Sequence, residues 1–223
     1  MSISFKLGDT VPDFTADSTL GPIHFYDYIE GHWTVLFSHP SDFTPVCTSE
    51  LGTVGIFLPE FEKRGVKVLA LSCNDLNSHM GWIADIVSYS PKANITYPIL
   101  ADPDRELAIK FGMLDPAERD SEGLPLTARV VFIIGPDKRI KLSFLYPATT
   151  GRNFTEVLRV IDSLQLTAKH NVATPVHWKW GDKCMVSPSV SDEEARQVFP
   201  EGFESVQVPS GKGYMRLTPQ PDL

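Results

Sequence analysis

Phe37-Ser38-His39-Pro40-Ser41-Asp42-Phe43-Thr44-Pro45-Val46-Cys47-Thr48-Ser49-Glu50 carries the chain from the end of an apolar, β-rich run into the start of a helical pattern. Thr44 is a favourable N-cap, and Pro45 is the residue best tolerated at the first helical position, where a missing N–H loses nothing. That register puts Cys47 at N3. A thiol there lies at the positive end of the helix, and a cation nearby would hold it largely as thiolate at neutral pH, the form in which cysteine is a nucleophile. Read without its neighbours, the same Cys47 is equally a small buried apolar residue behind a capping Thr44.

Working outward, the chain from Thr34 to about Gly151 alternates short β-rich runs with helical patterns, which is the signature of a layered α/β domain. The runs at 34–38, 66–72, 129–134 and 140–144 are expected strands. Gly135-Pro136-Asp137-Lys138 between the last two is a turn tetrapeptide that suits an antiparallel hairpin, so the sheet is expected to be mixed. Helices are expected at 45–64, closed by Gly65 in the C′ place, and at 78–89 and 154–168. Upstream, 12–25 reads as two short strands around Thr19-Leu20-Gly21-Pro22. After about Lys169 the character changes: Pro175, Pro188, Pro200, Pro209, Pro219 and Pro221 leave one helical stretch, at 192–198. This segment is too short for a sizeable core of its own, so Trp178, Trp180 and Phe199 are expected to pack on a neighbour or a partner subunit.

Composition narrows the function. The chain has 223 residues, about one and a half domain lengths, and 42% of them are hydrophobic, which excludes disorder and fibre. Lys and Arg total 20 against 28 Asp and Glu, a formal charge of -8 that makes nucleic acid an unsuitable partner. The longest apolar run, 130–135, falls far short of the roughly 20 residues of a transmembrane segment. The opening residues have neither a secretory apolar core nor the Arg-rich composition of a transit sequence, so the expected location is cytoplasmic. Three cysteines, Cys47, Cys73 and Cys184, fit no disulfide framework, CxxC pair or zinc quartet. None of the six histidines forms a ligand pair on a helix face, and no metal or other cofactor is expected.

The spacing Pro40-x-x-x-Thr44-x-x-Cys47, with His39 before it and Glu50 after, resembles the active-site signature of the peroxiredoxins. Gly112-Met113-Leu114-Asp115-Pro116-Ala117-Glu118, Pro125-Leu126-Thr127-Ala128-Arg129-Val130-Val131-Phe132 and Leu145-Tyr146-Pro147-Ala148-Thr149-Thr150-Gly151-Arg152-Asn153 resemble the one-cysteine, peroxiredoxin-6-type subgroup. The resemblance implies an α/β, thioredoxin-like fold, a mixed central sheet flanked by helices, over residues 1–168, with a C-terminal extension at 169–223 used in dimer formation. It also implies a homodimer or a larger ring.

By motif position, Cys47 would be the peroxidatic nucleophile, Thr44 the hydroxyl that holds the peroxide, Arg129 the cation beside thiolate and substrate, and Pro40 the shield against water. His39 would stand beside the pocket, and Glu50 would orient Arg129. Two-cysteine relatives carry a resolving cysteine in a Val-Cys-Pro context, where this chain reads Val172-Ala173-Thr174-Pro175. The implied activity is therefore reduction of hydrogen peroxide and organic hydroperoxides, with the Cys47 sulfenic acid resolved by an external thiol reductant such as glutathione. Cys73 and Cys184 are expected to be passive thiols. The competing reading is a peroxide-sensing or chaperone-like interaction protein with little turnover.

Overall fold

The computed structural model describes residues 5–222 and divides into two compact units at Phe154/Thr155. The first opens with the antiparallel pair β1 (Thr15–Ala16) and β2 (Ile23–His24), the hairpin expected there, though Phe25 belongs to a short helix, α1 (Phe25–Ile29), that the strand reading missed. Then follow β3 (Trp33–Ser38), α2 (Pro45–Lys63), β4 (Val66–Ser72), α3 (Leu76–Tyr89), β5 (Ile99–Ala101) and α4 (Glu106–Lys110). A hairpin of β6 (Leu114–Arg119) and β7 (Pro125–Thr127) leads into β8 (Arg129–Ile134) and β9 (Ile140–Tyr146).

The main sheet has the order β5-β4-β3-β8-β9. β3, β4 and β5 are parallel, whereas β8 runs antiparallel to both β3 and β9, so the sheet is mixed as expected. Every residue of β8 is buried, as is β3 after Trp33, because both strands lie inside the sheet with both faces covered. Continuous apolar runs rather than alternation follow from that placement. β9, at the edge, alternates between covered and open positions. On one face Leu36, Leu69, Leu71, Phe111 and Phe132 share a core. On the other, Phe37 packs edge-on to Phe154, with ring centroids 5.7 Å apart, and beside Tyr97 at 6.2 Å.

Register positions the site. Phe37 of β3 pairs with Val131 of the antiparallel β8, so the first residue of β8, Arg129, lies at the end of the sheet where β3 delivers its chain to α2. α2 ends as expected, with Gly65 at φ 64°, the left-handed conformation that glycine adopts without a side-chain penalty. Pro59 sits inside this helix and cannot supply the N–H that the Gly55 carbonyl would receive. Asn94 N–H replaces it, at 3.2 Å. That approach needs a residue without a side chain: a Cβ at Gly55 would lie 2.8 Å from Ile95 Cδ1 and 3.1 Å from Asn94 N.

The second unit corrects the reading of the tail. α5 (Phe154–Lys169) leads into β10 (Val172–Ala173), β11 (Cys184–Val186), α6 (Asp192–Val198), β12 (Glu204–Ser205) and β13 (Arg216–Thr218). The strands form an antiparallel sheet in the order β10-β11-β13-β12. α6 carries a capping box between Ser191 and Glu194. Trp178 and Phe199 are buried in a core of this unit with Leu166, Val172, Cys184 and Val186, rather than left over for a neighbour; only Trp180, 51% exposed, remains open. Strands of two or three residues between prolines are too short for any periodicity to register.

Candidate active site

The loop at 39–44 joins β3 to α2. His39 is tied to the sheet by its N–H to Leu71 O at 3.0 Å and by Thr127 Oγ1, which donates to its carbonyl at 2.6 Å. Pro40 follows, buried. Phe43 is exposed in the left-handed region, φ 53°, a conformation a bulky residue adopts only when its surroundings impose it. Thr44 then turns extended and opens the helix, in the N-cap place the sequence reading gave it, but its side chain makes no cap bond. Its hydroxyl donates to Ser41 O at 2.7 Å instead. With its hydrogen committed, Thr44 Oγ1 meets an incoming group as an acceptor.

Cys47 occupies N3 of α2 and is fully buried. The amides of this first turn have no carbonyl within the helix to bond and present partial positive charge. Arg129 Nη1 stands 3.4 Å from Cys47 Sγ and also donates to Glu50 Oε2 at 2.7 Å. The other edge of the guanidinium is fixed by Nε and Nη2, which donate to Ala148 O at 2.9 and 2.6 Å. The fold thus brings Glu50, Arg129 and Cys47 together.

A second arginine completes the arrangement. Arg152 donates to Glu50 through its backbone N–H (2.7 Å), Nε (3.0 Å) and Nη2 (2.7 Å), and to Val130 O through Nη1 (2.8 Å). It lies over the Phe37 ring at 5.1 Å. Burial alone would raise the Glu50 carboxyl, but hydrogen bonds and charge from Arg152, with the charge of Arg129, hold it below the usual carboxylate range. Two buried arginines against one carboxylate leave one positive charge beside the sulfur. Sequence reasoning gave Arg152 no role; its only signal was its place in the 145–153 stretch.

Asp42, within the loop, accepts from His39 Nε2 at 2.8 Å, His79 Nδ1 at 2.7 Å and Ser78 Oγ at 2.8 Å. Burial opposes its charge, yet the bonds from His39 and His79 hold its carboxyl well below the ordinary value. His39, His79 and Asp42 bring their donor atoms within 4.8 Å of one another. Such a set can hold a cation, and a search for helical histidine pairs could not find it; here the groups are bonded to each other.

Burial pushes the Cys73 thiol up to about 11, and burial likewise raises that of Cys184. All three cysteines are free. Thr174, in the place of a resolving cysteine, shares a hydrogen bond with Ser163 Oγ at 2.6 Å.

These buried groups fix the acid response. The Glu50 and Asp42 carboxyls are lowered in the folded chain, and burial lowers His39, so at each site the unfolded chain takes up its proton first as the pH falls. Their stabilisation is complete above the unfolded values, about 6.5 for His and about 4 for the carboxylates, and is lost below them. Asp102, raised by burial, works in the opposite sense. Urea unfolding is expected to show stability falling from about pH 6.5 and most steeply below about pH 4, with Glu50→Gln flattening the acid limb. Equal acid slopes in the two proteins would contradict this.

The AhpC/TSA family profile matches residues 7–143, and that of the C-terminal domain of 1-Cys peroxiredoxin matches 163–202. Peroxiredoxin-6 of Gallus gallus is 59% identical over 97% of this chain and 98% of its own. A crystal structure of a cysteine-to-serine mutant of peroxiredoxin 6 of Arenicola marina superposes with a TM-score of 0.95 at 58% identity, covering 99% of this chain and 100% of that one. A yeast mitochondrial 1-Cys peroxiredoxin gives a TM-score of 0.88 at 44% identity, over 96% of this chain and 99% of that one.

The mixed sheet with flanking helices is thus the thioredoxin-like fold, and the chemistry its end presents is that of a thiol peroxidase. The chain belongs to the AhpC/TSA family and, within it, to the 1-Cys peroxiredoxins of the peroxiredoxin-6 type.

Proposed function

We propose that this peroxiredoxin reduces hydrogen peroxide and organic hydroperoxides through Cys47, with an external thiol completing the cycle. The observation that carries the assignment is the buried Cys47 Sγ at the start of α2, 3.4 Å from a guanidinium fixed on its other side by Ala148. The thiolate attacks one peroxide oxygen, forming an S–O bond as the O–O bond breaks. The departing oxygen leaves with the electron pair and takes a proton to become water or an alcohol, and the sulfur is left as sulfenic acid. Arg129 and the Cys47 backbone N–H face the charge that develops on the departing oxygen. Thr44 Oγ1 stands as an acceptor beside the peroxide, Pro40 keeps water from the sulfur, and Glu50 and His39 hold the surroundings.

The sulfenic acid then reacts with an outside thiol, giving water and a mixed disulfide that a second thiol releases. Buried Cys73 and Cys184 and the hydroxyl of Thr174 offer no resolving partner. A glutathione-like reductant is supported by the yeast 1-Cys relative, described with thiol resolution via glutathione/thioredoxin systems. Residues 1–168 form the peroxidase domain and 169–223 the extension of a homodimer, for which sedimentation at the mass of a monomer would be disqualifying. Among the described residues no helix is long and apolar enough to cross a membrane. A cytoplasmic location is the reading to be tested by cell fractionation, and recovery with a membrane or organelle fraction would refute it.

The experiment that separates catalyst from sensor is consumption of hydroperoxide with excess dithiothreitol. Many equivalents per chain are expected; arrest after one would favour the sensing reading.

A further inference from the structure

The polar cluster around Asp42 has a consequence for the orientation of protons in the site. A carboxylate only accepts hydrogen bonds, so the 2.8 Å contact between Asp42 Oδ1 and His39 Nε2 requires the proton on Nε2. Burial keeps His39 below its ordinary value and hence neutral, with one ring proton to place. Nδ1 is then a bare lone pair, and this atom is buried without a partner. An unmet buried acceptor is destabilising, which favours a group that can meet it during the working cycle.

The ring is held between the first turns of α2 and the start of β8. Its centroid lies 5.2 Å from that of Trp82, whose Nε1 donates to Thr48 Oγ1 at 3.1 Å, one residue beyond Cys47. The His39 carbonyl is bonded to Thr127, two residues before Arg129. Asp42 in turn is braced from α3 by Ser78 and His79 and from the β4–α3 turn by Asn74 Oδ1, which accepts the Asp42 N–H at 3.0 Å. Both nitrogens of His79 face oxygen, Nδ1 towards Asp42 and Nε2 towards Leu100 O at 3.2 Å, so that ring is locked as well.

We propose that Asp42, braced by His79 and Ser78, is a positioning residue of the peroxidase site: it fixes His39 as the Nε2–H tautomer and so keeps Nδ1 as an acceptor for the O–H of the hydroperoxide and of the sulfenic acid. The inference rests on the reading of Cys47 as the nucleophile. No proton moves to the ring. The oxygen under attack keeps its hydrogen as it becomes the S–O–H oxygen, still bonded to Nδ1, while the departing oxygen takes its proton from water.

The test is 15N NMR of the histidine-labelled, reduced protein, with the His39 signals assigned by His39→Gln, combined with stopped-flow oxidation by hydrogen peroxide. The wild-type protein is expected to show unprotonated Nδ1 and protonated Nε2. In Asp42→Asn the side-chain amide can donate to Nε2, so the two nitrogens exchange roles, as when a tautomer-setting carboxylate is replaced elsewhere. The oxidation rate constant is expected to fall about 100-fold, at the low end of what a positioned acid–base group contributes. A role confined to stability would not exchange the nitrogens. Protonated Nδ1 in the wild type, or Asp42→Asn oxidised at the wild-type rate, would overturn the proposal while leaving Cys47 as nucleophile. If Asp42→Asn does not fold, the wild-type spectrum alone decides. The nucleophile is tested separately, by loss of turnover in Cys47→Ser.

Discussion

Cys47→Ser is expected to consume hydroperoxide no faster than dithiothreitol alone, a loss on the order of 10⁴-fold or more, as when other catalytic nucleophiles are removed. The substitution is nearly isosteric, so the fully buried position and the first turn of α2 are preserved. What disappears is the polarisable sulfur, and a serine hydroxyl in the same place is a far weaker nucleophile. Cys73 and Cys184 remain in this variant, and neither can substitute, since burial disfavours the thiolate of each. Retained activity would transfer the chemistry to one of them and dismantle the site as described.

Arg129→Met carries the second largest effect. The side chain keeps its apolar bulk, but the charge 3.4 Å from the sulfur is gone and Ala148 O loses both of its guanidinium donors. Removing a fixed donor from a site of developing negative charge slows a reaction about 10²- to 10³-fold, and a loss of that size is expected in the rate constant for Cys47 oxidation. Arg152 still neutralises Glu50 through its backbone and side-chain bonds, so the variant is expected to fold. Arg129→Lys is not expected to restore the rate. A single ammonium cannot span Sγ, Glu50 and Ala148 as the planar fork does. Stopped-flow oxidation of the two variants checks both statements, and a rate within twofold of wild type in either would contradict them.

The parts of this molecule legible in the sequence are those encoded by contiguous residues. β3, β4 and β8 announce themselves as apolar runs because they are covered on both faces, and α2 because Pro45 and Gly65 mark its ends. β5, α4, β7 and the strands of the second unit are too short to show a period, and β6, though six residues long, is half made of charged residues and only partly covered. Thr44, Cys47 and Glu50 were within reach because they follow at three-residue steps along the start of one helix. Arg129 needed the likeness of a motif, since an arginine opening a strand otherwise reads as a solvated charge.

Arg152 and His79 escaped for a different reason. Each acts on a residue far away in sequence, Glu50 and Asp42, and only the antiparallel placement of β8 and the return of α3 behind the loop bring them there. The capping role of Thr44 is not realised: its hydroxyl donates to Ser41 O, and its oxygen takes no helix amide. The tail was misjudged because a core can be assembled from single residues of several very short strands.

The central claim is that one sulfur takes the oxygen and no second sulfur of the chain resolves it. Intact mass spectrometry after one equivalent of hydrogen peroxide, with dimedone trapping and non-reducing peptide mapping, tests it most directly. The account predicts one dimedone adduct, on Cys47, which excess thiol prevents. A disulfide from Cys47 to Cys73 or Cys184, or an adduct on either of those residues in place of Cys47, would contradict it.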